Sequence, residues 1–288
     1  MGEIKRRDID PETLRVARTF APDFYLSALL APPAARADLV SIAAFFGDVD
    51  RIVLTVGEPP LAEIRLQWWR DALSGGLERG ERSGSPVADG VLAAASRHGL
   101  PLELFDRLLE ARTLDLYADP LADEAALSAY CQNTYGATMK LNGQILGVPS
   151  GEERLATAAA EAYGRARILC LAAAVLARGR QPFPDSGSDP NPNRDADPDA
   201  GAKPTGPALT GSRLQAWAGD AHAKLTSARP YWRGAGTLAR IACLPLGLVR
   251  PYLTAVTRPG HDPNRAIADI SPLQRTWRLW RARRFGFI

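Results

Sequence analysis

The sequence predicts an all-α protein, built as a single bundle of long helices around a central cavity. No stretch alternates apolar and polar residues as a half-buried strand would. Several segments instead repeat apolar residues at helical spacing, as in the stripe Leu39, Ile42, Phe46, Val49 and Val53. Helix-start signals accompany them, such as Asp10-Pro11-Glu12, with an N-cap acid followed by proline in the first turn. Helices of this length bury their apolar faces by packing together.

Caps and prolines give the order of the elements. The predicted helices cover residues 11–30, 34–56, 59–74, 86–98, 101–117, 124–146, 150–177, 212–227, 237–257 and 274–285. A capping box at Ser150–Glu153 opens the seventh helix, and Pro245 breaks the ninth. Residues 181–211 contain seven prolines and few large apolar side chains, which is typical of a disordered loop. We expect residues 1–288 to form one helical domain that carries this loop.

Composition narrows the function classes. The hydrophobic fraction of 46% and the charged fraction of 23% are those of a globular protein. A net charge of +3, with no long basic run before the last helix, does not suggest nucleic-acid binding. No apolar run approaches the roughly 20 residues of a membrane span, and no secretory signal is apparent. Three scattered cysteines favour a reducing compartment, and the bias towards Ala, Arg, Gly and Pro suggests a GC-rich bacterial genome, so we expect a cytoplasmic bacterial protein.

The helix predicted at residues 59–74 has an arginine within its apolar face. Leu61, Ile64, Leu66, Trp68, Trp69 and Leu73 form a broad apolar arc, and Arg65 falls in its middle. Either Arg65 faces a cavity, where it needs an anion, or its stem packs on Trp69 and its head reaches water. The pattern does not separate these alternatives.

Three segments resemble the squalene/phytoene synthase family. They are DVDRIVLTVGEPPLAEIRLQWWRDAL at residues 48–73, YCQNTYGATMKLNGQILG at residues 130–147 and PLGLVRPYL at residues 245–253. The resemblance is closest to the phytoene-synthase-like branch, which includes a mitochondrial complex I assembly factor and bacterial relatives. It implies an isoprenoid-synthase-like fold. In the family's enzymes, two motifs of paired aspartates hold Mg²⁺ while two prenyl diphosphates are joined head to head.

This sequence departs from both acidic motifs. In the first motif we align Asp48 with the leading acid, and the residue four positions on is Ile52. In the second motif the acid positions fall on Leu171 and Val175, and no carboxylate occurs between Glu161 and Asp185. A second tyrosine that family enzymes place three residues after Tyr130 is here Asn133. We therefore predict that most of the Mg²⁺–diphosphate motifs are lost.

Three functional hypotheses remain open. The preferred one is a non-catalytic assembly or accessory factor for respiratory complex I, with no cofactor and no metal. The alternatives are an isoprenoid or lipid binder, and a head-to-head prenyl transferase that needs Mg²⁺ held by Asp48, Asp50, Asp71 and either Asp115 or Asp119. Candidates for the cavity or the diphosphate site are Asp48, Asp50, Arg51, Arg65, Trp68, Tyr130, Asn133, Gly136 and Arg167. We expect Tyr130 to be a core aromatic whose hydroxyl is hydrogen-bonded.

The last predicted helix combines aromatic residues with arginines. Trp277, Trp280 and Phe285 lie among five arginines at helical spacing. Such a helix can rest on an anionic membrane surface, or it can dock its tryptophans into the bundle and leave the arginines in water. The second interpretation is preferred, and only a weak peripheral membrane contact on the cytoplasmic face is predicted.

Overall fold

The computed structural model describes residues 9–80, 82–117, 121–178, 183–184 and 209–288. Within these ranges the chain forms helices and no strands, which confirms the all-α prediction. The helices are α1 (Pro11–Phe20), α2 (Pro22–Leu29), α3 (Arg36–Thr55), α4 (Pro59–Arg79), α5 (Pro86–His98), α6 (Leu102–Leu114), α7 (Glu124–Cys131), α8 (Ala137–Ile145), α9 (Glu153–Cys170), α10 (Ala172–Leu176), α11 (Gly211–Gly234), α12 (Thr237–Ala242), α13 (Val249–Val256) and α14 (Pro272–Phe285). A π-helical turn, Gln132–Gly136, joins α7 to α8, and 3₁₀ turns cover Pro33–Ala35, Ser150–Glu152 and Leu244–Leu248.

Two helices lie at the centre of the packing. Helix α9 packs against α11, α13 and the π-helical turn, while α3 packs against α1, α2 and α5. Gly164 permits the approach of α9 to the π-helical turn, because a Cβ there would lie 2.7 Å from Cys131 Sγ and 2.9 Å from a ring carbon of Tyr135. The glycine is therefore required by the helix crossing.

Several helix ends in the first half differ from the prediction. The helix expected at 11–30 is divided at Ala21, because Pro22 has no N–H to continue α1 and instead begins α2. Helix α4 passes through Gly75-Gly76 and ends at Gly80, which has φ +69°. Gly76 lies against Leu92, with the site of a Cβ only 2.3 Å from a Leu92 methyl carbon. Glycine there allows contact with α5 and does not end the helix.

The capping box predicted at Ser150–Glu153 does not form. No side chain caps the turn at Ser150 or the start of α9, and the carboxylate of Glu152 accepts a hydrogen bond from the backbone of Gly236 at 2.8 Å. The predicted continuous helix to residue 177 is interrupted at Leu171, between α9 and α10.

Proline behaves differently at three positions near the end of the chain. Helix α11 continues through Pro230 to Gly234, beyond the predicted end at residue 227. Pro245 interrupts the helical segment as predicted. Pro251 falls in the first turn of α13, where the missing N–H costs little, and causes no break.

Most of the proline-rich loop predicted at 181–211 lies outside the described residues. At its edges, Phe183 is buried and its ring stacks on Trp217 with centroids 4.5 Å apart. The single-domain organisation stays a prediction.

In the part of the chain that the structure describes, no helix is both long enough and apolar enough to cross a bilayer.

Candidate functional site

Helix α3 carries the acids of the first motif on two different faces. Asp48 accepts hydrogen bonds from Trp69 Nε1 at 3.0 Å and from Arg51 Nη2 at 2.5 Å, so it is held against α4. Asp50 lies about 200° further around the helix and is buried in the interior. The geometry therefore makes Asp50, and not Asp48, the interior acid of this segment.

Arg112 of α6 lies between two carboxylates. Its Nη2 is 2.8 Å from Asp50 Oδ1, and its Nη1 is 3.1 Å from Asp115 Oδ2. The same Nη1 donates to the hydroxyl of Tyr130 at 2.7 Å, and that hydroxyl donates to Asp115 at 2.6 Å. The prediction that Tyr130 is a core aromatic with a hydrogen-bonded hydroxyl is confirmed. Arg112 thus supplies the positive charge that these buried acids need.

Burial sets the protonation of this cluster. Burial raises the pKa of Asp50, and the positive charges of Arg112 and Arg167 oppose that rise. Burial also raises the pKa of Tyr135 to about 12. Tyr135 therefore stays protonated at neutral pH, with its ring 5.7 Å from the Arg112 guanidinium.

Side chains nearly fill the space beside Asp50. A pocket there is lined by Phe20, Phe24, Phe46, Asp23, Asp50, Tyr135, Tyr163 and Arg167. Its interior volume is about 10 Å³, roughly what one water molecule requires. Arg167 of α9 projects into it, with its guanidinium 4.9 Å from the ring centroid of Tyr252. The central cavity expected of the bundle is closed at this point.

A second buried acid, Asp23, links α2 to three other helices. It accepts hydrogen bonds from Tyr163 at 2.5 Å, Tyr252 at 2.6 Å and Arg275 Nε at 2.6 Å. These partners lie on α9, α13 and α14. Sequence reasoning missed Asp23, because its partners Tyr163, Tyr252 and Arg275 are far away in the sequence and no motif connects them to it. It also missed Arg112, and it treated Arg275 as one of several surface arginines.

Two of the predicted site residues lie on the outer face of α4. Arg65 is exposed, Trp68 is 40% exposed, and Leu61 and Ile64 are also exposed. The cavity-facing interpretation of Arg65 is therefore wrong. Only one side of α4 packs on the bundle, and that side presents Ala62, Leu66, Trp69 and Leu73.

The remaining predicted residues occupy varied positions. Asn133 and Gly136 lie in the π-helical turn, where Asn133 is half-buried and a Cβ on Gly136 would lie 3.2 Å from that of Ala160. Gly136 thus lies at a close approach between helices. Leu171 and Val175 are half-buried. Arg51 is half-buried and its guanidinium lies 5.3 Å from the ring centroid of Phe20.

The residues present do not fit a Mg²⁺–diphosphate site. Mg²⁺ prefers hard oxygen ligands in octahedral geometry, yet Asp50 is ion-paired with Arg112, and the position four residues on is Leu54. Leu171 and Val175 supply no oxygen on the opposing helix. Asp71 is exposed and accepts from Gln67 at 2.8 Å, and Asp119 lies outside the described residues. Among the described residues, no group of three or more His, Cys, Asp or Glu side chains is placed to hold a metal ion.

A larger cavity lies elsewhere, among α6, α8, α9 and α12. Its volume is about 380 Å³, within the range of small-molecule sites. Met139, Val148, Ala156 and Cys243 are among its apolar lining residues, and Arg107, Lys140, Glu103 and Glu153 are among its charged ones. No sequence pattern pointed to this cavity, because its walls come from helices far apart in the chain.

The sequence profile of the squalene/phytoene synthase family matches residues 17–281. The chain belongs to the squalene/phytoene synthase family. It is 33% identical over 137 residues to a phytoene synthase of Thermus thermophilus, a match covering 46% of this chain and 45% of that protein. It is 26% identical over 151 residues to the mouse NADH dehydrogenase (ubiquinone) complex I assembly factor 6, covering 52% of this chain and 44% of that protein. The chain thus spans less than half of the length of the curated relatives it matches.

Solved structures of family members share the fold. A squalene synthase, HpnC, from Alicyclobacillus acidocaldarius superposes with a TM-score of 0.63 at 22% identity, covering 86% of this chain and 93% of that one. A dehydrosqualene synthase solved with a ligand superposes with a TM-score of 0.72 at 14% identity, covering 96% and 95%. These superpositions confirm the predicted isoprenoid-synthase-like helical fold.

Proposed function

We propose that this protein is a non-catalytic member of the squalene/phytoene synthase family that acts as an assembly or accessory factor for respiratory complex I. The observation that carries the proposal is the ion pair between Asp50 and Arg112. The interior acid of the first-motif segment, Asp50, is ion-paired with the buried Arg112, and the acid positions expected across the bundle hold Leu171 and Val175.

Electrostatics argues against head-to-head prenyl transfer at such a site. Two diphosphates bring several negative charges into an apolar interior, and the departing diphosphate must be stabilised as its bond breaks. Arg112 has no charge to spare, because Asp50 and Asp115 already lie within 3.1 Å of it. Arg167 is left as a cation that could meet a diphosphate, but the pocket that it lines has room for only about one water molecule. The proposal accordingly includes no Mg²⁺ and no other cofactor.

The accessory role is supported by similarity to complex I assembly factor 6 and by a surface suited to protein contacts. An accessory protein works by binding, and exposed apolar patches often mark binding surfaces. The outer face of α4 exposes Leu61, Ile64 and Trp68. We propose subunits of complex I as the partners, and a cytoplasmic location at the membrane face where that complex is assembled.

The catalytic part of the proposal is tested by incubation with farnesyl or geranylgeranyl diphosphate and Mg²⁺. We expect no release of pyrophosphate above the no-protein control, while an active family enzyme releases it under the same conditions. Turnover that is lost in Asp50→Asn but kept in Glu110→Gln, a variant of an exposed acid of α6, would refute the proposal.

The accessory part is tested by deleting the gene in its native host. Complex I abundance and its NADH oxidation should fall, and the cellular pools of carotenoids, hopanoids and squalene should stay unchanged. The reverse pattern, with normal complex I and an altered isoprenoid pool, contradicts an accessory role and favours an active transferase.

The cavity of about 380 Å³ favours a second candidate, an isoprenoid- or lipid-binding protein. Its apolar floor suits a hydrocarbon chain, and Arg107 and Lys140 can meet an anionic head group. Organic extraction and mass spectrometry of purified protein should then recover a prenyl compound. Replacing Gly143, which lines this cavity, by leucine should lower the recovered amount, and cavities that are empty in several preparations would count against this candidate.

A further inference from the structure

Helix α14 has a buried face and an exposed face that cannot exchange places. Arg275, Leu279 and Ala282 face the bundle at i, i+4 and i+7 spacing. Arg275 is ion-paired with Asp23 at 2.6 Å, and a Cβ on Gly247 would lie 3.0 Å from that of Ala282. A buried ion pair and a close helix contact therefore fix the rotation of α14 about its axis.

The opposite face presents large apolar side chains to solvent. Leu273, Trp277 and Trp280 repeat at the same spacing and are 81%, 53% and 40% exposed. The two indole rings stack with centroids 5.1 Å apart. Phe285 and Phe287 extend the surface and are also exposed. The expectation that the tryptophans dock into the bundle is wrong, because a buried arginine occupies the inner face.

Positive charge surrounds these aromatic side chains. Arg281 and Arg284 lie over the rings of Phe287 and Phe285, each 5.4 Å from the ring centroid. Residues 272–288 contain no aspartate or glutamate. Beside them, a pocket of about 500 Å³ is lined by three further arginines together with the two phenylalanines. We call these residues together the α14 surface; its members are Leu273, Trp277, Trp280, Arg281, Arg284, Phe285, Phe287, Arg229, Arg233 and Arg240.

We propose that the α14 surface binds an anionic lipid bilayer, with the aromatic side chains in the interfacial layer and the arginines on lipid phosphates. Tryptophan favours the membrane–water interface, where its ring is partly apolar and its N–H stays hydrated. Guanidinium groups pair with phosphate oxygens in bidentate geometry. A second copy of the chain is a poor occupant, because a two-fold contact would place arginines against arginines. The inference does not depend on whether the protein has catalytic activity.

Vesicle flotation of the full chain tests the proposal. We expect the protein to float with vesicles of phosphatidylglycerol and phosphatidylcholine and not with phosphatidylcholine alone, and binding should weaken as salt is raised. Two double variants separate the contribution of the aromatic side chains from that of the arginines. The first combines Trp277→Ser with Trp280→Ser, and the second combines Arg281→Glu with Arg284→Glu. Each should lower the vesicle partition coefficient at least about tenfold, and circular dichroism should report an unchanged helix content.

A matched control lies on α4. Trp68 of α4 is 40% exposed, which matches the exposure of Trp280 of α14. Arg65 is an exposed arginine on the same face of α4 as Trp68. The variants Trp68→Ser and Arg65→Glu should float like the wild type. The proposal is overturned if the wild type does not bind anionic vesicles, or if the α4 variants lose as much binding as the α14 variants. It is also overturned if light scattering shows a dimer that the α14 variants convert to monomers.

Discussion

Replacing Arg112 by methionine should destabilise the fold by about 3–5 kcal/mol at neutral pH, the usual cost of removing one partner of a buried ion pair. The Arg112 side chain is 5% exposed, and its carboxylate partners Asp50 and Asp115 are 12% and 14% exposed. Methionine keeps a chain of similar length in contact with Phe46 and Tyr135, so most of the loss comes from the Asp50 carboxylate, which loses its ion-pair partner, and little from a cavity.

The loss of stability in Arg112→Met should increase as the pH rises. Burial already raises the pKa of Asp50, and Arg112 opposes that rise, so the pKa increases further in Arg112→Met. An acid whose folded-state pKa lies above its unfolded value of about 3.9 binds more protons when folded. Its contribution to stability therefore falls as pH rises between the two pKa values. The difference from wild type should be smallest at the acid end and greatest above the folded-state pKa.

Urea unfolding followed by tryptophan fluorescence and circular dichroism measures these differences at each pH. The double variant Asp50→Asn with Arg112→Met should recover part of the lost stability and show a flatter pH profile, because the uncompensated charge is gone. A loss below about 1 kcal/mol for Arg112→Met, or a double variant no more stable than the single one, would refute the assignment of Arg112 as the counter-charge of Asp50.

Three further predictions concern packing and burial. Trp69→Ala should lower the free energy of unfolding by about 3–5 kcal/mol, because the Trp69 side chain is 1% exposed and its indole N–H donates to Asp48. Trp68→Ala should change the free energy of unfolding by less than about 1 kcal/mol in the same urea assay, because Trp68 is exposed. Gly164→Ala should lower the free energy of unfolding by about 1–3 kcal/mol, because the added methyl group overpacks the contact between α9 and the π-helical turn. Gly219→Ala, in a part of α11 where a Cβ meets no neighbour, should raise it by up to about 1 kcal/mol. Equal effects of the two substitutions would contradict the close approach at Gly164. Burial raises the pKa of all three cysteine thiols, that of Cys170 to about 12, so Ellman's reagent at pH 8 should react with none of them in the native protein and with three in urea.

The α4 segment illustrates how far periodicity can be trusted. The apolar arc of this helix correctly predicted a helix, but the arc was too wide to say which half is buried. Ala62, a small residue that the pattern analysis passed over, is on the buried side, while Ile64 is 66% exposed. Which half packs depends on where α5 and α6 lie, and helix periodicity contains no information about neighbours.

The acids of α3 give a second example. In the sequence, Asp48 was aligned with the leading acid of the first motif, whereas the structure places Asp50 in the interior. Their different roles follow from the partners that the fold supplies, Trp69 and Arg51 for one and Arg112 for the other. Arg112 is 62 residues from Asp50 in sequence and follows no motif that would connect them.

The sequence by itself determined the helical class, most helix positions, the family, and the absence of carboxylates at the positions of the second motif. These properties depend on local spacing, on caps and on residue types at aligned positions. Only the tertiary structure decided that Asp50 is neutralised by Arg112, that Arg275 of α14 is buried on Asp23, and that the tryptophans of this helix face outward. The reason is physical: the energy of a buried charge depends on which groups surround it in space, and those groups come from distant parts of the chain.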